Sequence, residues 1–404
     1  MNIFVAILGL GFLVLIHEAG HFFIARAVGM SPRKFYIGFP PALAKVRRRG
    51  IEYGIGAIPL GGYVKIPGMH RPAPSDLDMY FGPAFEEAPH LLAPVERIKQ
   101  AVERGDMATA RTRLPELEGS IDATNLSPRA SRAAQRGLRE LSDALGEDAY
   151  WRQRTWKKIA VIFAGPGANL VLAIVLFAAL LMMGGDRYRL GFALEARGEQ
   201  VLAVVDRVAD DAPADDMGLR AGDRIVAVNG VRVPPDDISE RIRGSEGRPI
   251  ALTVVRDGRR VQLGPARPER IEALGPGEAT WESLKLTGVI TREIGKSLAR
   301  LVTGEGREDI ASPVGIVDQS SDAVERGWET YLWVLGLLSL SLALLNLLPL
   351  LPLDGGHIAF SIVEGIRGRS VGREIYERVS AVGIALVLLL FFVGLSNDVG
   401  RISD

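Results

Sequence analysis

The chain of 404 residues contains no cysteine. Disulfides, iron–sulfur clusters and cysteine zinc sites are therefore excluded, and any metal must be held by histidine and oxygen ligands. An excess of charge of either sign is also missing, since 48 Lys and Arg residues balance 48 Asp and Glu residues. The composition therefore provides no overall field that would favour a nucleic acid or another polyanion as a partner.

The apolar residues are gathered into four blocks that approach the roughly 20 residues needed to cross a bilayer. These blocks are Ile3–Val28, Ile159–Met183, Tyr331–Leu351 and Val379–Leu395. We therefore predict a polytopic α-helical membrane protein with about four transmembrane helices. No basic residues precede the first block, so it is not typical of a cleavable signal peptide.

Lys and Arg residues cluster at 33–49, 152–158 and 367–378, in the segments between spans one and two and between spans three and four. The positive-inside rule places all three clusters in the cytoplasm. Both termini and the region Gly184–Thr330 are then external. We expect a multi-pass protein of the cell inner (plasma) membrane.

The first block contains His17, Glu18 and His21, which are costly groups at membrane depth and mark a functional site. Residues four apart share one helix face, so the two imidazoles can bind one divalent metal. Glu18 lies beside that face and could move the proton of a water molecule. A histidine pair held only by hydrogen bonds is the competing interpretation, but it leaves three costly groups within five residues unexplained.

A third ligand is needed, and Asp354 is the best candidate because it directly follows the third apolar block. Pro349 and Pro352 break the helix before it, so the carboxylate can turn inward. An aspartate that caps a new helix is the alternative interpretation of Asp354, and His357 is a rival ligand. Asn346 could donate to a substrate backbone or an oxyanion, or make a helix–helix hydrogen bond instead.

Between the first two spans, Ile51–Gly68 alternates β-forming residues with glycines and predicts a short hairpin or sheet. Its apolar residues favour a position toward the membrane beside the metal. The segment from Ala84 to Tyr150 has helical periodicity and predicts a cytoplasmic helical insertion. This insertion is either a docking or regulatory module or a solvated spacer.

The external region predicts several short strands, a helix at Asp236–Arg243 and a hairpin around Asp257 and Gly258. Its run from Met217 to Gly230 resembles a bacterial PDZ domain, a module that binds chain ends or extended segments. Leu190–Phe192 resembles a carboxylate-binding loop, although a linker is the preferred interpretation. Such a module could act as a size filter for substrates or bind a freed C-terminus.

Together these motifs resemble the site-2 protease family, in particular its bacterial branch that cleaves anti-sigma factors in regulated intramembrane proteolysis. The resemblance also covers Ile58–Lys65, similar to the family's membrane-associated β-hairpin, and the signatures Ala164–Asn169 and Pro313–Ile316. It implies that Zn²⁺ is held by His17, His21 and Asp354, with Glu18 as the catalytic acid/base. Asn346 and the hairpin residues Gly61, Gly62 and Tyr63 would bind substrate, and the partners would be single-span membrane proteins and the lipid bilayer.

The chain departs from the family pattern in three ways. The second proline of the Asn346–Gly356 motif lies three residues after the first, at Pro352, where the family has two. The helical insertion is longer than expected, and only one PDZ-like domain is predicted.

The expected organisation is TM1 with the His-Glu motif (1–30), a cytoplasmic β region (31–83), the insertion (84–150), TM2 (151–185), the PDZ-like α+β domain (186–270), an external linker with an amphipathic segment (271–330), TM3 (331–358) and TM4 with the C-terminus (359–404).

Two rival functions belong to other classes. A metal transporter would also place His and Asp ligands in the membrane, but it has no use for Glu18 beside them. A catalytically silent scaffold would act through its PDZ-like domain alone, and the intact set of ligands argues against it.

Overall fold

The computed structural model describes residues 2–184, 188–197, 200–270, 272–303, 306, 310, 312–369, 371 and 373–403. The helices are α1 (Asn2–Ala27), α2 (Pro74–Glu87), α3 (Leu92–Glu103), α4 (Met107–Thr112), α5 (Leu114–Asp122), α6 (Pro128–Leu145), α7 (Thr155–Met183), α8 (Pro213–Asp216), α9 (Ile238–Arg243), α10 (Pro276–Thr303), α11 (Pro313–Glu325), α12 (Trp328–Asn346), α13 (Asp354–Arg367) and α14 (Arg373–Ser403). The strands are β1 (Lys34–Arg48), β2 (Ile51–Lys65), β3 (Tyr188–Arg189), β4 (Phe192–Arg197), β5 (Gln200–Val208), β6 (Arg224–Val228), β7 (Val231–Arg232), β8 (Ile250–Arg256), β9 (Arg259–Ala266) and β10 (Glu269–Arg270).

The chain forms two compact units. The first comprises the residues up to Ala173 together with Ile316–Phe392, and the second comprises Ile174–Gly315 together with the chain from Val393 onward. Within the described residues, four helices are long and apolar enough to cross a membrane, namely α1, α7, α12 and α14. The prediction of four spans is confirmed at this level.

In the first unit, small residues let the spans approach closely. A Cβ atom at Gly20 of α1 would lie 2.2 Å from the carbonyl oxygen of Ala164 in α7. At the other end of α1, the Tyr331 hydroxyl of α12 donates to the Val5 carbonyl at 2.8 Å. Helix α1 is therefore packed against both of its neighbours, as expected for spans held together by close backbone contact.

The third apolar block is helical only up to the predicted proline break. Helix α12 stops at Asn346, although apolar residues continue to Leu351. Pro349 has no backbone N–H and disfavours helical geometry in the residue before it, which explains the early end. The next helix, α13, begins at Asp354 itself.

Strands β1 and β2 form a folded ribbon in the first unit. The start of β1, Lys34–Ile37, has Cα partners both in Glu52–Ile55 and in Gly62–Lys65. The basic segment 33–49, which lies in the predicted β region 31–83, thus contains the strand that pairs with the predicted hairpin segment. The ribbon leaves several large apolar side chains exposed. They are Phe39, Leu43, Val46, Ile55 and Ile58.

Helices α2–α6, the inserted helices, surround a hydrophobic core of their own. Leu91, Ile98 and Leu141 are at most 1% exposed, as their helical spacing suggests. Two basic residues tie this cluster to the ribbon. The Arg33 Nε donates to Asp143 at 2.7 Å, and the Lys65 ammonium donates to Glu140 at 2.7 Å.

The second unit contains a sheet in the order β4-β5-β6-β8-β9, with β7 paired to β6. Hydrophobic residues of these strands and of α9 form its core. The predicted hairpin around Asp257 and Gly258 is present, as β8 and β9. Buried Asp223 accepts hydrogen bonds from Arg256 at 2.6 and 2.7 Å, so one ion pair links β8 to the turn before β6.

Candidate metal centre

Three of the residues that the sequence suggests as ligands meet within the first unit. The Nε2 atoms of His17 and His21 lie 3.2 Å apart, as expected for positions i and i+4 of α1. The Oδ2 atom of Asp354 lies 3.1 Å from the first of these nitrogens and 3.4 Å from the second. Both histidines are less than 10% exposed. No other group of His, Asp or Glu residues in the described chain converges in this way.

Helix α7 holds the two imidazoles in place. The Nδ1 atom of His21 lies 2.8 Å from the Val161 carbonyl oxygen, so Nδ1 carries the hydrogen and Nε2 keeps its lone pair. The fully buried side chain of Asn169 lies 3.5 Å from the Nδ1 atom of His17. The atom at this distance is the amide nitrogen, and the buried Oδ1 atom of Asn169 has no hydrogen-bond partner. A half-turn of the amide group would point Oδ1 at the ring, where it would accept the Nδ1–H and likewise leave Nε2 free.

Asp354 reaches the cluster because α13 packs closely against the residues before it. A Cβ atom at Gly355 would lie 2.3 Å from the Leu347 and Leu348 carbonyl oxygens. Asp354 is the first residue of α13, whose N-cap is Leu353, so the interpretation of Asp354 as a helix cap is wrong. Its buried Oδ2 atom has no hydrogen-bond partner.

Glu18 lies next to the histidines and is partly buried. The backbone of Val64 in β2 is within hydrogen-bonding range of its carboxylate. A Cβ atom at Gly62 would lie 2.9 Å from the Cγ atom of Glu18. The end of β2 therefore runs directly beside this carboxylate.

The other candidate residues lie in different surroundings. His357 contacts the hydroxyl of Tyr376 in α14 and does not belong to the ligand cluster. The Asn346 amide donates to the Leu342 carbonyl of its own helix at 3.0 Å. Tyr63 stacks on Tyr36 with ring centres 5.1 Å apart.

Tyr36 lies in β1, the strand that pairs with Gly62–Lys65. Its hydroxyl donates to the Glu52 carboxylate at 2.7 Å. This hydrogen bond, more than burial, raises the pKa of Tyr36 to about 12. The phenol therefore stays protonated and keeps its bond at any physiological pH.

The cluster fits a zinc ion. Tetrahedral zinc with ligand distances of about 2.0–2.1 Å places its ligand atoms roughly 3.3 Å apart, and the three atoms here are 3.1–3.4 Å apart. When both Nδ1 atoms carry hydrogens, three lone pairs converge on one point. A cation at that point satisfies all of them, including the unpartnered Oδ2 of Asp354.

The sequence does not reveal Val161 and Asn169 as partners of the histidines. The residues 164–169 are recognisable only as a signature of the resembling family, without a role for each side chain. Their contacts arise from the packing of α7 across α1, which no local spacing encodes.

A cavity of about 570 Å³ lies in the second unit between β4 and α9. It is lined by the segment Leu190–Phe192 and by Ser239, Ile242 and Arg243. Leu190 is buried in the core of this unit, and the Gly191 carbonyl accepts from the Ala209 N–H. The segment is therefore part of the domain wall, and the interpretation of it as a mere linker is wrong.

Two histidine nitrogens and an aspartate oxygen beside a glutamate are the arrangement expected of a zinc-dependent peptidase. The sequence model of Peptidase family M50 matches residues 5–390, and the chain belongs to this family, that of the site-2 proteases. It is a zinc metalloprotease and a multi-pass membrane protein.

Curated relatives extend over nearly the full length. Zinc metalloprotease Rip1 of Mycobacterium tuberculosis is 29% identical over 93% of this chain and 88% of the relative. Zinc metalloprotease RasP of Bacillus licheniformis is 29% identical over 100% of both chains.

Proposed function

We propose that this metalloprotease cleaves the transmembrane segments of single-span membrane proteins, such as anti-sigma factors, in regulated intramembrane proteolysis. The observation that carries the proposal is the position of the ligand cluster. His17 and His21 lie on α1, which is long and apolar enough to span a bilayer. Asp354 lies just beyond α12, a second such helix.

We assign the zinc ligands as His17, His21 and Asp354, and Glu18 as the acid/base. Zinc, when bound, activates water and polarises a peptide carbonyl. The Glu18 carboxylate accepts the proton of the attacking water and passes it to the leaving amine. The Val161 carbonyl holds His21 in the tautomer that leaves its Nε2 atom available, and Asn169 would do the same for His17 once its amide oxygen faces the ring.

A substrate helix hides its carbonyls in hydrogen bonds, so it must be unwound before cleavage. Gly62–Lys65 pairs with β1 on one edge, and within the described residues no strand pairs with its other edge. An extended substrate segment can add to this free edge beside Glu18. Gly61, Gly62 and Tyr63 would then contact the substrate, together with Asn346. The exposed apolar side chains of the ribbon favour its association with the membrane.

The second unit supplies the proposed PDZ-like domain, which we place outside the inner membrane. Its cavity beside Leu190–Phe192 supports binding of a freed C-terminus, and a size filter for substrates is the alternative role. Deleting the domain separates these roles. A filter predicts cleavage of untrimmed substrates after deletion, whereas a binding site predicts weaker cleavage of trimmed ones.

The protease proposal is tested by co-expression with candidate single-span membrane proteins. Glu18→Gln should abolish cleavage while the purified protein keeps about one zinc. Asp354→Ala should lose most of the zinc, and His357→Ala, at a residue outside the ligand cluster, should retain it. A Glu18→Gln variant that still cleaves would refute the role of Glu18. A transporter or a scaffold would instead keep its own function in this variant. Zinc loss in His357→Ala but not in Asp354→Ala would refute the third ligand.

A further inference from the structure

A groove of about 390 Å³ runs along the end of β2 in the first unit. Four consecutive chain residues, Tyr63–Ile66, line it. Successive side chains of a strand point to opposite faces, so a groove over one face would touch only alternate residues. This groove therefore follows the edge of the strand. A neighbouring cleft touches only Tyr63 and Lys65 of the same stretch and so lies over one face.

The inserted helices form the opposite wall of the groove. Tyr80 comes from α2, and Glu140, Leu141 and Ala144 come from α6. Two contacts hold this wall in place. Tyr80 packs against the core of the inserted helices, and a Cβ atom at Gly137 would lie 2.6 Å from its Cβ atom. The ion pair between Glu140 and Lys65 joins the wall to the strand at 2.7 Å.

The same strand edge begins beside the catalytic centre. Gly62 and the Val64 backbone lie against Glu18, whereas Tyr63–Ile66 line the groove. A strand advances about 3.3 Å per residue. A peptide that leaves Glu18 along this edge therefore lies in the groove within about four residues, a span of roughly 13 Å.

We propose that this groove is an exosite for the substrate segment on the cytoplasmic side of the cleaved bond, and that the inserted helices serve to form it. The inference rests on the proposed protease function and assigns a role to helices α2–α6. The occupant is an extended polypeptide of about four residues that continues the strand addition at β2.

The lining of the groove sets the chemistry of this segment. Glu140 pairs with Lys65, and Asp76 accepts the Ala73 N–H at 2.9 Å, so both carboxylates already have partners within the protein. The partly exposed side chains of the lining include Tyr63, Met69 and Tyr80, which offer apolar and aromatic surface. We expect the exosite to favour apolar or aromatic side chains at alternate positions of the segment.

The absence of cysteine makes disulfide cross-linking a direct test. The probe is a single-span membrane protein that the wild-type chain cleaves, carrying one cysteine at successive positions around the cleaved bond. The protease carries Glu18→Gln to trap the substrate, together with Met69→Cys in the groove. Tyr63→Cys reports on the strand edge, and exposed Leu92→Cys in α3 is the matched control.

Met69→Cys should cross-link to alternate positions about three to six residues on the cytoplasmic side of the cleaved bond, and Leu92→Cys to none. Cross-links at Tyr63→Cys without any at Met69→Cys would overturn the exosite and leave the protease function standing. Failure at both positions would overturn the strand addition on which the exosite depends. Cleavage that persists in Glu18→Gln would instead refute the proposed mechanism itself.

Kinetics provide a second readout on the active enzyme. Tyr80→Ala should raise KM about fivefold or more, with kcat little changed, and Tyr80→Phe should restore the wild-type value. The difference should vanish for a substrate truncated shortly after the cleaved bond on its cytoplasmic side. A KM effect that persists on the truncated substrate would show that Tyr80 acts only through the fold.

Discussion

Gly165 lies directly against His21: a Cβ atom at this glycine would be 2.3 Å from the Nε2 atom of the imidazole. The same position is 2.9 Å from the Cε1 atom of His17. Helix α7 thus forms a wall of the proposed metal centre, at a position where only a residue without a side chain fits.

Replacing Gly165 by alanine should therefore displace the imidazoles. Shifts of about 1 Å in a catalytic centre cost on the order of 100-fold in rate, and we expect Gly165→Ala to lose at least that much activity. Gly11→Ala in α1 is the control, because its Cβ atom would meet no atom within 4 Å. Metal analysis and cleavage of one substrate by both variants give the result. Wild-type zinc content and activity in Gly165→Ala would contradict this account of the wall.

Asn169 should control zinc affinity without binding the metal. Loss of a group that orients a ligand typically lowers metal affinity about 10- to 100-fold, so Asn169→Ala should release zinc to a weaker chelator than the wild type does. Asn346→Ala removes a similar amide that bonds only to its own helix carbonyl. This second variant should keep its zinc affinity, and equal losses in both would remove the special role of Asn169.

The ion pair of Asp223 and Arg256 should make the second unit sensitive to acid. The hydrogen bonds from Arg256 hold the pKa of Asp223 below its usual value, despite its burial. Their stabilisation is complete above the unfolded pKa of about 3.9 and is lost as the pH falls through the lower folded pKa. Asp223→Asn should cost about 2 kcal/mol at neutral pH and remove this acid-dependent loss.

Limited proteolysis of the detergent-solubilised full chain between pH 7 and pH 3 measures this effect. Asp257→Asn is the control, since Asp257 is exposed at the turn between β8 and β9. A protease-resistance profile that is the same in Asp223→Asn and the wild type would argue against the ion pair as the source.

Membrane topology can be checked with two reporter fusions. A reporter near Gly230 should be external and one near Leu117 cytoplasmic, because the clusters of Lys and Arg all fall on one side of the four spans. Two reporters in the same compartment would refute the proposed arrangement. Fusions at both sites must retain proteolytic activity for the comparison to be valid.

Local sequence patterns predict those parts of the proposed metal centre that depend on a single helix or strand. The spacing of His17 and His21 fixes their common helix face, and the prolines after Asn346 predict the break that lets Asp354 turn toward them. The sequence places β1 within a β region (31–83), but its bounds and its pairing are not predictable in this way. Its strand structure depends on pairing with both ends of β2, which is a contact between distant residues.

The same distinction applies to the ends of the spans. Apolar composition predicts that the fourth span begins at Val379, but α14 already begins at Arg373. Composition marks the part of a helix that can lie in lipid, whereas backbone hydrogen bonding continues into polar residues. The groove beside β2 is also invisible to sequence patterns, since its two walls come from separate folding elements.

The ligand cluster joins the first spanning helix to a residue close to the end of the chain. During synthesis, His17 and His21 emerge long before Asp354, an interval on the order of 20–70 s at 5–20 residues per second. A partly inserted chain therefore holds only two of the three ligands and lacks the complete centre. The order of synthesis itself acts as a safeguard, because neighbouring membrane proteins meet a competent hydrolase only after the segment that carries Asp354 has been delivered to the bilayer.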